Sequence, residues 1–396
     1  MSRTIRRLFA GGLFVLLLTG CWDRRELNEL GILSGIAIDK VGQQYQVSVQ
    51  VVVPDEVSSR ARKGSAPVTM YKATAPTLFE AFRKLTETSP RKIYTAHIRV
   101  LVLSEPIAKD GIAKVLDILV RNPESRIDYF VMVARKTSAE KVLKVLTPLD
   151  NIPAEALYHS LDTASKEWAP ITKVTVDKLT DQLMSKGINP VLPGITISEN
   201  GRSDNKAEDI DPPVKLNYSG LAAFNNDKLI GWLSTNEGKG YNYIRNNVQS
   251  TVGNIKCPDG KMISLEIIHS HTDVKSFMED VNPHIEVQLK MDVNIGEVTC
   301  DIDLTEPKTV EKLQKEAERE LETLMKKSVA VMQKKYKVDI FGFGQVIYNS
   351  NPKLWKSMEK DWDERFTDLK VLYKTKVNIR DIGMINHTVE SKMKEK

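Results

Sequence analysis

Strand-like and helix-like segments alternate along the first half of this chain, which limits the folds that it can adopt. Apolar residues recur at every second position from Tyr45 to Val53, whereas the segment that begins at Pro76 carries them at helical spacing. A dense apolar run, Ile98 to Leu103, a second helical segment and a strand-like run, Tyr129 to Ala134, follow. Strands separated by helices of this length predict an α/β layer with some parallel pairing.

Local patterns in this half predict finer details. A hairpin over residues 32–53 should be half-buried, with Gln46, Ser48 and Gln50 on its open face. A capping-box pair, Thr137 and Glu140, predicts the start of a third helix. Residues 150–198 have mostly helical patterns, and residues 199–213 are polar and almost free of large apolar side chains. We therefore expect a loop or linker there, and it is the best boundary in the chain.

The second half predicts two hairpins, which turn at Asn225–Asp227 and at residues 258–260, and a long strand from Ile285 to Val298. One helix should cover Thr305–Tyr336. Its apolar stripe fits either a coiled-coil partner or a core-facing helix, and with only about three heptads core packing is favoured. Helical pieces at Asp339–Tyr348 and Pro352–Phe366 and a closing strand at Val371–Ile379 complete the pattern.

These elements predict a mixed α+β protein with mixed sheets flanked by helices. The length suggests several domains, since domains usually have about 100–200 residues. We expect three of them after a cleaved signal at residues 1–20: an N-terminal α/β domain at 21–149, a mainly helical or mixed domain at 150–235, and a C-terminal α/β domain with the long helix at 236–390.

The first 21 residues have the pattern of a bacterial lipoprotein signal. Arg3, Arg6 and Arg7 precede an apolar run that is too short for a stable membrane span, and Thr19-Gly20-Cys21 follows. Small residues expose the backbone to a peptidase, and the Cys21 thiol is a nucleophile that can receive a diacylglyceryl group. The alternative is an ordinary signal peptide with a chance cysteine. We expect a mature protein that begins at lipidated Cys21, outside the cytoplasm.

Charge and hydropathy exclude several classes of function. The formal charge of +5 includes the three signal arginines, so the remainder is close to neutral, which argues against a nucleic-acid partner. No later apolar run has the roughly 20 residues of a spanning helix, so lipid is the only membrane attachment that the sequence indicates.

Cysteines and histidines offer two possible special sites. Cys257 and Cys300 could form a disulfide in an exported protein, or be two small buried apolar residues. His269 and His271 would share one face of a strand, as metal ligands do, but no third ligand accompanies them. Exposed strand histidines are the simpler interpretation, so we expect no metal.

A search for catalytic motifs yields no convincing set. Ser89-Pro90-Arg91-Lys92 matches Ser-x-x-Lys without its partner motifs, and Gly342-Phe343-Gly344 lacks the third glycine of a dinucleotide fingerprint. His97, at the start of a predicted buried strand, is better explained as a hydrogen-bonded structural histidine than as a general base. We expect a protein that is not an enzyme and has no cofactor.

Several segments are more specific than a general pattern. The two most specific are Cys21-Trp22-Asp23-Arg24-Arg25-Glu26-Leu27-Asn28-Glu29-Leu30-Gly31 and Asp339-Ile340-Phe341-Gly342-Phe343-Gly344, the latter followed by Asn351-Pro352 and Trp362. Others are Thr95-Ala96-His97-Ile98, Gly111-Ile112, Arg121 and Val293-Asn294-Ile295-Gly296-Glu297. These segments resemble the GerAC-like lipoproteins, the C subunits of the nutrient germinant receptors of endospore-forming bacteria.

This resemblance implies a lipid-anchored, three-domain protein on the outer face of the inner spore membrane. It would act with two integral membrane subunits, A and B, to start germination when small nutrients appear. The family has no known catalytic residues and its nutrient site is usually placed in the membrane subunits, so a nutrient would reach this chain only indirectly. The alternatives are an extracytoplasmic solute-binding lipoprotein, which needs a ligand cleft between domains, and a cell-envelope hydrolase, which the missing catalytic set disfavours.

Overall fold

The computed structural model describes residues 29–54, 66–200, 204–205, 210–257, 259–279 and 282–383. Its strands are β1 Leu30–Val41, β2 Gln44–Val52, β3 Val68–Ala75, β4 Lys92–Tyr94, β5 Val100–Ser104, β6 Phe130–Ala134, β7 Val191–Glu199, β8 Val214–Asn225, β9 Lys228–Leu233, β10 Thr251–Lys256, β11 Met262–Glu279, β12 Asn282–Val298 and β13 Val371–Asp381. Its helices are α1 Leu78–Lys84, α2 Glu105–Asp110, α3 Ala113–Arg121, α4 Ala139–Lys144, α5 Pro153–Glu167, α6 Val176–Met184, α7 Thr235–Ile244, α8 Pro307–Val331, α9 Phe343–Ser350, α10 Pro352–Met358 and α11 Trp362–Asp368.

The first nine strands form one mixed sheet with the order β3-β2-β1-β5-β6-β7-β8-β9, and β4 pairs with the start of β1. The central strands β1, β5, β6 and β7 are parallel, and antiparallel strands continue the sheet on both sides. Parallel strands need helical crossovers that cover the sheet faces. Helices α4 and α5 pack on one face, and α1, α2, α3 and α6 pack on the other. The predicted mixed α+β architecture is confirmed.

The expectation of a half-buried hairpin at β1–β2 was wrong, because both faces are buried. Ser48 and Gln50 are fully buried beneath α4 and α5. The Gln50 side chain donates to the Leu143 carbonyl at the end of α4 (2.8 Å) and accepts from the Ala154 amide at the start of α5 (3.0 Å). Unpaired backbone groups at helix ends need such partners when they are buried. The Gln50 side chain therefore hydrogen-bonds to backbone groups at helix ends and not to water.

Two further predictions for this half need correction. Helix α4 is capped by Ser138, not Thr137, and the buried Asp39 carboxylate also accepts from the Ala139 and Glu140 amides, each at 2.9 Å. The predicted mostly helical segment 150–198 contains α5 and α6 but ends in a strand, β7, which pairs with β6 and β8.

The second sheet has the order β10-β11-β12-β13, and β13 runs parallel to β12. The predicted alternation along β12 is confirmed, since Ile285, Val287, Leu289, Met291, Val293 and Ile295 are all buried. The core-packing interpretation of α8 is also confirmed, because Leu313, Ala317 and Leu321 face this sheet's core. The helix ends at Val331, and a π-helical turn continues to Tyr336.

The core beneath the second sheet also includes residues of the first sheet. Val191, Leu221 and Leu233 belong to the same cluster of buried side chains as the inner face of β12. The first sheet itself contains strands from both the first and the second predicted domain. The division into three domains stays a prediction.

Cys257 and Cys300, whose state the sequence left open, are joined by a disulfide with Cα atoms 6.4 Å apart. The bond connects the β10–β11 turn to the segment that follows β12, and both cysteines are buried. Among the described residues, no helix combines the length and the apolar composition required to cross a bilayer.

Candidate functional site

The segment Asp339–Gly344 surrounds one fully buried carboxylate. Asp339 Oδ1 accepts from the backbone amides of Phe341 and Gly342, both at 2.9 Å. Its Oδ2 accepts from the Gly344 amide (2.8 Å) and from the indole N–H of Trp362 (3.3 Å). Helix α9 begins only at Phe343, so the predicted helix start at Asp339 was wrong. The carboxylate instead satisfies the amides that precede and open the helix.

Opposing effects set the ionisation of this carboxylate. Burial raises the pKa of Asp339 to about 6, whereas the surrounding backbone N–H groups act to lower it. All four partners in the hydrogen bonds above are donors, so they offset part of the cost of burying the ionised form.

The Asp339–Gly344 segment contacts the loop between α6 and β7 closely enough to require glycine on both sides. Gly187 has a φ of +69°, and a Cβ on it would lie 2.5 Å from the Gly344 carbonyl carbon. A Cβ on Gly344 would lie 2.8 Å from Gly187 Cα and 2.7 Å from the Trp355 ring. Two backbones therefore approach without side chains between them.

Hydrogen bonds extend from this contact into the first sheet. The Asn189 amide donates to the Asp339 carbonyl (2.8 Å), and Asn189 Oδ1 accepts from the Asn226 amide in the β8–β9 turn (2.7 Å). In the same turn, the Asp227 carbonyl accepts from the Ile112 amide (2.9 Å) and its carboxylate accepts from the Ala113 amide (3.3 Å). We call this set of residues, Gly111–Ala113, Gly187–Asn189, Asn226–Asp227 and Asp339–Gly344, the junction.

The junction contains two of the resemblance segments, Gly111-Ile112 and Asp339–Gly344, which lie far apart in sequence. A Cβ on Gly111, whose φ is +125°, would lie 2.5 Å from an Asp227 carboxylate oxygen, so that position also favours glycine. The sequence interpretation missed Asn189 and Asp227. The available signal was an aspartate shortly before Gly-x-Gly at a helix start, which is typical of a carboxylate that accepts from N-terminal amides.

The carboxylate predicts an unusual pH dependence. Because the folded pKa is about 6 and the ordinary value is 3.8, the wild-type chain gains stability from protonation at low pH and loses it as pH rises from about 4 to 6. We expect the difference in unfolding free energy between wild type and Asp339→Asn to shift by about 3 kcal/mol over that range, since one pKa unit is about 1.4 kcal/mol. Urea unfolding at pH 4, 5, 6 and 7 measures it. A difference that stays constant with pH would contradict this assignment.

The other candidate residues are dispersed. Cys21 lies outside the described residues, so its lipidation stays a prediction. His97 is exposed in a 3-10 turn with its ring edge-on to Tyr94, so the prediction of a hydrogen-bonded histidine in a buried strand was wrong. Ser89 Oγ donates to the Arg91 carbonyl, and Lys92 pairs with Glu124, so Ser89 and Lys92 do not face each other as a catalytic pair.

Potential metal ligands are likewise separate. His269 and His271 are exposed on β11, and His271 Nε2 lies 3.4 Å from Asp273. Within the described ranges, the one group of three potential ligands is Cys257, Asp259 and Cys300, and the disulfide occupies both sulfur atoms. The absence of a metal stays a prediction.

Two open cavities lie on the described part of the chain. One, of about 650 Å³, lies between Tyr45, the start of α1 and the α3 face at Lys114–Ile118. The other, of about 710 Å³, lies between the β12 start and the α10–α11 pair. Neither corresponds to the cleft between domains that the solute-binding alternative requires.

Comparisons with known proteins identify the class. Residues 23–197 match the spore germination protein N-terminal domain, and residues 219–383 match the spore germination B3/GerAC-like C-terminal domain. The crystal structure of the GerBC protein has the same fold, with a TM-score of 0.56 and 20% identity, over 87% of this chain and 97% of that chain. This chain thus has the two-sheet α+β fold of a spore germination protein.

Sequence relatives establish the family. The chain is 31% identical to spore germination protein KC of Bacillus subtilis, over 97% of each chain. It is 25% identical to spore germination protein B3 of the same organism, over 94% of this chain and 96% of that protein. The chain belongs to the GerAC-like family of spore germination proteins, which confirms the resemblance predicted from the sequence.

Proposed function

We propose that this chain is the non-catalytic, lipid-anchored C subunit of a spore nutrient germinant receptor. It acts with two integral membrane subunits, A and B, on the outer face of the inner spore membrane. The observation that carries the proposal is the match to spore germination protein KC over 97% of both chains, because a match of that extent leaves little room for an unrelated activity.

Chemistry and topology support the same role. Within the described residues, the best-defined constellation is the junction, in which the side chains of Asp339, Asn189 and Asp227 accept hydrogen bonds from backbone amides. The lipoprotein signal that ends at Cys21 supports membrane attachment through lipid. No described helix is long and apolar enough to span a bilayer.

Cys21→Ala tests the anchor. We expect the variant to leave the spore membrane fraction, to lose labelling by radioactive palmitate, and to impair nutrient-triggered germination, because the thiol that would carry lipid is gone. Membrane fractionation with immunoblotting measures the first effect.

The matched control is a Cys257→Ala, Cys300→Ala double variant, which removes the disulfide and keeps Cys21. It should stay in the membrane fraction. Normal membrane retention of Cys21→Ala would count against the anchor, whereas loss of both variants would indicate degradation instead of release.

A further inference from the structure

Strand β3 is the outermost strand on one side of the first sheet, and it pairs only with β2. The Val53 amide donates to the Pro67 carbonyl just before β3, which fixes the residues whose backbone groups face β2. That direction alternates along an antiparallel strand, so every second residue has its N–H and C=O pointing away from the sheet. These outward residues are Val68, Met70, Lys72 and Thr74. In the part of the chain that the structure describes, no residue hydrogen-bonds to their backbone groups.

The outermost strands elsewhere differ from β3, since a side chain of another element hydrogen-bonds to the backbone of each. On β13, Glu318 and Gln314 of α8 accept from two backbone amides, at 3.1 and 3.0 Å. Lys239 donates to a β10 carbonyl (3.3 Å), and Tyr336 donates to a β9 carbonyl (3.2 Å). Proteins usually protect edge strands, because unpaired backbone groups can pair with another chain. Among these four strands, β3 is therefore the one whose edge is available for pairing.

The composition of β3 favours the addition of a strand. Its eight residues include no acid, glycine or proline, and one cation, Lys72. The Lys72 ammonium lies 3.3 Å from Glu140, whose side chain is only 14% exposed, so the cation already has a counter-ion. Met70 packs against the core on the α4 side of the sheet, and Tyr71 packs against the core on the α1 side. Both side chains are only partly buried, and a further strand would cover them.

We propose that β3 pairs antiparallel with β3 of a second copy of this chain, about a two-fold axis at Tyr71. This register gives every outward backbone group a partner, because Val68 lies opposite Thr74 of the second copy and Met70 lies opposite its Lys72. Each lysine faces an apolar side chain instead of the other lysine, so like charges are not opposed. The two Tyr71 side chains form a cross-strand aromatic pair on the α1 side. The strand is thus complementary to itself.

The proposal goes beyond the receptor role. Its test measures self-association of the purified full chain, whereas the receptor role depends on other proteins of the spore membrane, so the two can fail separately.

Cysteine cross-linking tests the register. Residues directly opposite each other at a non-hydrogen-bonded position have Cα atoms about 4.5 Å apart, a distance that a disulfide can bridge. Tyr71→Cys should therefore form a covalent dimer on mild oxidation, measured on a non-reducing gel. Ala73→Cys is the matched control on the same face of the same strand, and its two copies would lie about 13 Å apart, because they are offset by four residues. It should give no more dimer than the unsubstituted chain, which has the same native cysteines.

Substitution of Lys72 tests the outward hydrogen bonds. Its N–H points away from β2, so Lys72→Pro spares the sheet and removes a bond to the second copy. Sedimentation velocity of the unsubstituted chain over about 1–100 µM should show a monomer–dimer equilibrium. We expect Lys72→Pro to lower the association constant at least about tenfold, since the two-fold axis removes the bond twice. Lys72→Ala keeps the N–H and should dimerise as the unsubstituted chain does.

Four results would each overturn the proposal. They are an unsubstituted chain that stays monomeric over this range, equal cross-linking of Tyr71→Cys and Ala73→Cys, and equal dimerisation of Lys72→Pro and Lys72→Ala. The fourth is a Tyr71→Cys chain that, in spore membranes, cross-links to a different protein and not to itself, which would assign the edge to a strand of that partner.

Discussion

Replacement of Asp339 by alanine should lower the free energy of unfolding by about 4 kcal/mol, the largest loss that we expect from a single side chain outside the apolar core. The substitution leaves three backbone amides and the Trp362 indole N–H without their acceptor in a fully buried place. An orphaned buried donor costs about 1–3 kcal/mol, and relief from burying a charge offsets part of the sum. Urea unfolding at pH 7, followed by tryptophan fluorescence, measures the loss.

The conservative variant and a surface control sharpen this result. Asp339→Asn keeps one oxygen and places an amide N–H₂ against the other donors, so its loss should be smaller than that of alanine. Asp181→Ala, on the exposed face of α6, should change the unfolding free energy by less than about 0.5 kcal/mol. Wild-type stability in Asp339→Ala would contradict the role of the carboxylate as the organiser of residues 341–344.

Gly187→Ala should lower the unfolding free energy by about 3 kcal/mol or more. Its new methyl group would lie 2.5 Å from the Gly344 carbonyl carbon and 2.7 Å from the Gln345 amide nitrogen, so two backbone segments must separate. That movement would disturb the adjacent bond from the Gln345 amide to the Gly187 carbonyl (3.0 Å). The left-handed backbone adds about 1 kcal/mol of its own.

Gly42→Ala is the matched control for the cost of placing alanine in a left-handed backbone conformation. Gly42 has a φ of +59°, close to that of Gly187, but nothing lies within 4 Å of its Cβ position. Its loss should therefore be about 1 kcal/mol, the cost of the left-handed conformation alone. Equal losses for the two variants would mean that the close approach at the junction contributes nothing to stability.

Regular elements with a strong period were predictable from the sequence. Alternation along β12 and the stripe of Leu313, Ala317 and Leu321 on α8 each reflect one buried face, and the pattern of a buried face is local. The run Val191–Ile195 was not predictable, because a short apolar run fits a buried strand or a helix equally. Pairing with β6 and β8 makes this run a strand, and those partners lie elsewhere in the sequence.

Buried polar residues were the other source of error. Gln50 and Asp39 occupy strand positions where polarity normally indicates solvent, yet they satisfy the ends of α4 and α5. The hydrogen bonds of the junction were missed for the same reason, since they also depend on buried polar groups. Asn189 and Asp339 are joined across 150 positions, and no local spacing reveals which amide a distant carbonyl will accept. The resemblance segments marked Gly111-Ile112 and Asp339–Gly344, and only the fold supplied Asn189 and Asp227.

Affinity purification of the tagged full chain from spore membranes tests the central claim most directly. We predict that two multi-pass membrane proteins, the A and B subunits, co-purify with it in equal amounts, and that the Cys21→Ala variant recovers less of both. A chain that purifies alone, or with an ATP-binding cassette transporter, would contradict the receptor role.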